Sequence, residues 1–224
     1  MHADLRPRRL AASTFAALAL TLASACASTP EPAATKPGQG PEANAPLSAA
    51  EQGDLGRLFP FPNGHVYAYR VTTETGETRS LTVRTVRVSP GRGELHPMAA
   101  RVRSFDVTAD GVRLAPPDKG WVLKAPLEIG ATFAGEHGGK TTVTAVGHTQ
   151  SAAGETFQGC VTTVEQRGGD RPLSFESVFC PDVGLVRLEA SSGSSTELAE
   201  LESRGPPVDL GPDGVKAIKV EPVK

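Results

Sequence analysis

The chain has 224 residues, 38% hydrophobic, 21% charged and only 5% aromatic, with 24 Gly and 19 Pro. That length carries one domain with appendages, and the Gly and Pro excess means a compact body shares the chain with segments that bury little. A formal net charge of -2 supplies no basic field for nucleic-acid binding, and three cysteines leave one over after any pairing.

Residues 1–25 read as an export signal. Arg6, Arg8 and Arg9 precede an uncharged apolar run over 10–22, too short for a spanning helix and followed by small residues. Leu22-Ala23-Ser24-Ala25-Cys26 allows a cut after Ala25 in two ways. One is an ordinary A-x-A signal-peptidase site, which would leave Cys26 as a free thiol. The other resembles the lipobox of bacterial lipoproteins, in which small residues precede a Cys that is thioether-linked to diacylglycerol. The second is the expectation taken forward, because a lone exposed thiol is reactive in an oxidising compartment. Cys26 would then be the lipidation site and the only membrane contact. Removing 1–25 takes away three Arg and one Asp and shifts the net charge from -2 to -4.

Residues 26–55 hold the lipidated Cys and a tether. The stretch ASTPEPAATKPGQGPEANAP lacks Val, Ile, Leu and aromatics and would reach about 60 Å in polyproline II form. At its end Ser48 and Glu51 form a capping-box pattern that predicts one short helix, weakened at Gly53 and Gly56.

Residues 56–203 are predicted as an all-β antiparallel domain, a barrel or half-barrel. Alternating or β-branched runs fall at 66–73, 80–88, 100–108, 112–115, 121–124, 141–146, 158–166, 173–179, 185–189 and 197–202. Turn signals separate them, among them Thr75-Gly76, Asp110-Gly111 and Gly168-Gly169-Asp170. A self-match at an offset of 66 places Pro60 to Ala68 over Pro126 to Ala134, and Gly111-Val112-Arg113-Leu114 echoes 184–188. Two related β-meander halves, the second packing an open edge on the first, would explain both; chance in a Gly-rich β chain is the alternative. Residues 204–224 read as a disordered tail, with an edge strand over 215–220 as the other reading.

Cys160 and Cys180 flank a candidate hairpin. With the turn centred on residue 170, residues whose numbers add to 340 face each other, and the two cysteines are then directly opposite. A disulfide in an exported protein is the expectation, closing a loop that contributes roughly 3 kcal/mol in the chain-entropy model; two buried thiols are the alternative.

The segments FPFPNGHVYAYRV, PLEIGATF, TVTAVGHTQSAAGETFQGC and FCPDVGLVRLE resemble exported bacterial lipoprotein domains of the TapB-like and related half-barrel families. The resemblance runs from Phe59 to about Leu201 and implies a fold and an envelope location rather than a chemistry.

Patterns that suggest chemistry are few. Ala134-Gly135-Glu136-His137-Gly138-Gly139-Lys140-Thr141 satisfies a relaxed phosphate-loop pattern, but a strand signature follows where a helix is needed, so a hairpin loop with a solvated Lys140 is expected. His65, His96, His137 and His148 lack short ligand spacing and are expected as scattered surface residues, so no metal or other cofactor is assigned. Glu200 and Glu202 alternate as a solvated face, Ser191 to Ser195 is a flexible turn without a nucleophile signature, and Trp121 is expected as a core anchor. The expected function is therefore a non-catalytic binding or assembly module, lipid-anchored to the cell envelope, at the outer membrane with its domain in the periplasm or at the cell surface. Its partners would be the membrane and an envelope component, not nucleic acid or a nucleotide. A hydrophobic-ligand carrier using a concave half-barrel face is the second expectation.

Overall fold

The computed structural model describes residues 53–170 and 172–206, all within the unit Gln39–Lys224. The export signal, Cys26, the tether as far as residue 52 and the tail beyond residue 206 lie outside the described residues.

A short helix, α1 (Asp54–Leu58), precedes twelve strands. They are β1 (Val66–Thr73), β2 (Thr78–Ser89), β3 (Arg92–Pro97), β4 (Arg103–Thr108), β5 (Gly111–Leu114), β6 (Trp121–Lys124), β7 (Thr132–Ala134), β8 (Lys140–Ala152), β9 (Glu155–Arg167), β10 (Leu173–Cys180), β11 (Gly184–Ser192) and β12 (Ser195–Gly205). The helix starts after Gly53 and buries Gly56 and Leu58; the capping pattern at Ser48 and Glu51 lies outside the described residues.

All twelve strands belong to one antiparallel sheet in the order β6-β5-β4-β3-β2-β1-β12-β11-β10-β9-β8-β7. Each strand lies beside its sequence neighbour except at two places. The first strand pairs with the last, Val66 opposite Gly205 and Thr73 opposite Glu197. Between β6 and β7 there is no ladder, only one isolated bridge from Trp121 to Gly135. The sheet is therefore a nearly closed barrel of two six-strand meanders, with one zipped junction and one seam. Both internal sequence matches join strand n to strand n + 6: Tyr67 of β1 corresponds to Phe133 of β7, and Gly111 of β5 to Gly184 of β11.

Period-2 patterning puts the core on one face of the strands. In β1, Tyr67, Tyr69 and Val71 are buried while Arg70 is exposed. Cross-strand partners share a face, so the register continues the inner surface from Val143 through Thr163, Ser177, Leu188 and Ala199 to Val71. The strands β8 and β9 are longer than the barrel needs, and three register shifts between them bend the ribbon. Its tip turns back onto β12, where the Ala153 amide donates to the Leu201 carbonyl at 3.0 Å. A second cluster forms beneath that tip, holding Phe157, Val178, Val186 and the disulfide between Cys160 and Cys180. The β9–β10 register follows the rule of 340, from Leu173 opposite Arg167 to Phe179 opposite Val161.

One end of the barrel is plugged from within the chain. Leu58, Phe59 and Phe61 descend from α1 into the main core, with the Phe59 ring 5.3 Å from those of both Phe61 and Phe105 and 6.0 Å from Phe179. The Phe61 ring occupies the space above Gly93; a Cβ there would stand 2.1 Å from it, so the position requires glycine. The plug backbone is then tied to β2: the buried Arg87 guanidinium donates to the Phe61 carbonyl at 3.1 Å, and the Gly64 amide to the Thr85 carbonyl at 2.8 Å.

Candidate functional site

Above the plug the barrel is not filled. A chamber of about 200 Å³ remains, floored by Phe59 and Pro60 and walled by Tyr67, Tyr69, Leu81, Val83, Leu95, Phe105, Phe179, Leu185, Leu188 and Ala199. Its walls come from both meanders, and its surface is dominated by carbon. The one phenol that reaches a partner through the wall, Tyr69, donates to the Leu185 carbonyl at 3.0 Å, and burial raises its ionisation far out of range. Tyr67 is also raised, again by burial.

The far end of the chamber is polar, and the β7–β8 turn makes it so. Glu165 of β9 is 5% exposed, on the inner face beside its partners Thr141 and Phe175. Its carboxylate accepts the amides of Gly139 at 2.7 Å and His137 at 3.0 Å, and contacts His137 Nδ1 at 3.0 Å. The His137 ring stacks on Phe175 with centroids 3.8 Å apart. The neighbouring Glu136 forms an ion pair with Arg103 at the start of β4. The turn thus crosses the mouth of the barrel, latched to β9 on one side and to β4 on the other.

This latch accounts for the phosphate-loop-like pattern. Residues 134–141 form a hairpin leading into β8, with Lys140 exposed, as the strand signature predicts. Two backbone amides that could face a phosphate face Glu165 instead. The glycines serve close packing: a Cβ on Gly135 would lie 2.1 Å from the Glu165 carboxyl carbon, and one on Gly139 would lie 2.4 Å from the Gln166 carbonyl oxygen.

The histidines depart from the surface positions expected of them. All four are partly buried, His96 and His148 on strands opposite Arg84 and Cys160, His65 and His137 in connections. His96 Nε2 lies 2.8 Å from Glu94, whose carboxyl it holds below the usual range, and His148 Nε2 lies 3.3 Å from the Thr162 hydroxyl. They do not converge, and among the described residues no three His, Cys, Asp or Glu side chains are placed to hold a metal. Trp121 lies at the seam rather than at the centre of the core, half-buried, with the Lys124 ammonium 5.4 Å from its ring. Glu200 and Glu202 are exposed, Glu202 paired with Arg70. Glu136 and Thr141 stand in the sequence only as members of the phosphate-loop-like pattern, and Glu165, Ser177 and Arg103 carry no motif. A signal for Glu165 existed: it shares the inward parity of Val161 and Thr163, where an isolated acid needs a partner.

No protein-family model and no curated protein matches the chain, so the TapB-like resemblance rests on the quoted motifs alone. Solved structures with similar folds include a Bacteroides fragilis protein described as exported with a YmcC-like fold, 12% identical, covering 66% of this chain and 98% of that one with a TM-score of 0.44. A Parabacteroides distasonis protein described as a lipoprotein is 11% identical over 66% of this chain and 98% of that one, TM-score 0.45. LprF from Mycobacterium bovis is 14% identical over 74% and 96%, TM-score 0.32.

Proposed function

We propose that this chain is a lipid-anchored envelope protein whose barrel is a non-catalytic binding module for a small apolar molecule. The chamber carries the reading: an unfilled apolar cavity in a protein core forfeits packing, and here aromatic and aliphatic side chains from two meanders surround it beneath a polar mouth. The carbon-lined interior that a hydrophobic-ligand carrier requires is present, which favours that role over an assembly platform. The size restricts the guest. A cavity of about 150 Å³ holds benzene, so one of about 200 Å³ suits a compact molecule or one short hydrocarbon chain rather than a two-chain phospholipid. The anchor at Cys26 rests on the 1–25 signal and the residues before the cut.

The test uses full-length protein carrying Cys26→Ser and the compact neutral probe n-butylbenzene, followed by titration calorimetry. Saturable one-to-one uptake, abolished when Ala199→Trp fills the chamber without altering the β circular-dichroism spectrum, is the expected result. Absence of uptake by the Cys26→Ser protein overturns the reading.

A further inference from the structure

Resting on that reading, we propose that the polar end of the chamber selects a guest with a neutral hydroxyl or carbonyl group over one with a carboxylate, phosphate or ammonium head, and that Thr141 is its anchor. Thr141 is 3% exposed, and its hydroxyl has no hydrogen-bond partner. A buried hydroxyl is ordinarily satisfied, and this one opens on a recess of about 10 Å³, room for a single small polar group, shared with Thr163, Glu165 and Ser177. The recess and the chamber have Val122, Glu136, His137, Ser177 and Phe179 in common, so a chain lying in the chamber ends at Thr141.

The charges around the recess decide the class of head group. Glu165 is already engaged by two amides and His137, and Glu136 is engaged by Arg103. Both carboxylates line the recess and the Arg103 guanidinium does not, which opposes a carboxylate or phosphate where water is excluded. An ammonium head finds both carboxylates taken and too little room for its three donors. A hydroxyl both donates and accepts, so it satisfies Thr141 without adding charge.

Displacement of n-butylbenzene from the Cys26→Ser protein by 1-octanol, octanoate and octylamine at neutral pH, followed by competition calorimetry, tests this. 1-Octanol is expected to displace at a concentration about tenfold lower than either ion, because it carries no charge to desolvate. The near-isosteric Thr141→Val, which removes the anchor, raises the 1-octanol concentration required about tenfold, the weight of one hydrogen bond of about 1.4 kcal/mol, and Thr141→Ser, which keeps the hydroxyl, does not. Equal or tighter displacement by octanoate or octylamine, or 1-octanol displacement left unchanged by Thr141→Val, overturns the inference while leaving the binding module standing. Probe uptake with no displacement by any of the three overturns the inference, and failure of the probe itself to bind overturns both.

Discussion

Arg57 and Asp182, far apart in the chain, clasp each other in both directions. The guanidinium of Arg57 lies 2.6 and 3.0 Å from the two carboxylate oxygens of Asp182, while the Asp182 amide donates to the Arg57 carbonyl at 2.7 Å. The clasp joins the plug helix to the β10–β11 turn. The hydrogen bond from Arg57 comes first among the causes that hold the Asp182 carboxyl below the usual aspartate range, with the charges of Arg57 and Arg204 adding to it.

A lowered carboxyl pKa in the folded state stabilises above the unfolded value of 3.8 and is lost as pH falls through the folded value. Asp182→Asn therefore lowers the melting temperature at neutral pH, and the difference from wild type shrinks below about pH 4. The pair is solvent-exposed, so the effect at neutral pH is at most about 1 kcal/mol. Thermal melts across that range check it; a constant difference at every pH contradicts the clasp.

Phe61 and Gly93 define the plug sterically. Phe61→Ala removes a ring that is 2% exposed and is expected to cost about 3–5 kcal/mol in urea unfolding. Gly93→Ala drives a methyl into the same ring and costs about 1–3 kcal/mol; combined with Phe61→Ala it costs much less than the two summed, because the clash is gone.

Breaking the link between Cys160 and Cys180, whose Cα atoms lie 4.2 Å apart across β9 and β10, is expected to lower stability by about 3 kcal/mol. Denaturant unfolding of the double Ala variant measures the loss. A reducing agent should move wild type toward the variant and leave the variant unchanged.

Glu165→Ala unlatches the mouth. The amides of His137 and Gly139 lose their acceptor, and their hydrogen exchange, followed by NMR, is expected to accelerate while amides of β1 and β12 keep their protection. The variant also loses about 1–3 kcal/mol for the buried donors left without partners.

Cys26→Ser is expected to abolish incorporation of a fatty-acid probe and to release the protein from the membrane fraction. Unchanged labelling removes the anchor from the account.

The regular strands were legible because their chemistry is local. The 66–73 and 121–124 runs coincide with β1 and β6, and the hairpin register that pairs Cys160 with Cys180 could be written from one turn centre. β3 was hidden because Arg92 to Pro97 carries one aliphatic residue, Leu95, among polar residues, Gly and Pro, and its ladders are with β2 and β4. β7 is three residues long, visible only through the repeat. Phe59 and Phe61 stand before the 66–73 run with nothing local to mark them as a plug; that they turn inward depends on Gly93 and Phe105, which no local pattern links to them. The chamber was beyond reach for the same reason, since its walls meet only once the register of every strand is set.

The junction of β1 with β12 also bears on how the molecule is made. Every other ladder joins strands adjacent in sequence and can form as a hairpin, but this one brings Val66 to Gly205 and must wait for almost the whole body of the chain. Until then β1 presents an unpaired edge beside the bulky Tyr67 and Tyr69. A chain released from its N-terminus forward keeps that edge open until the last strand emerges, so closure doubles as a check that synthesis has run to residue 205.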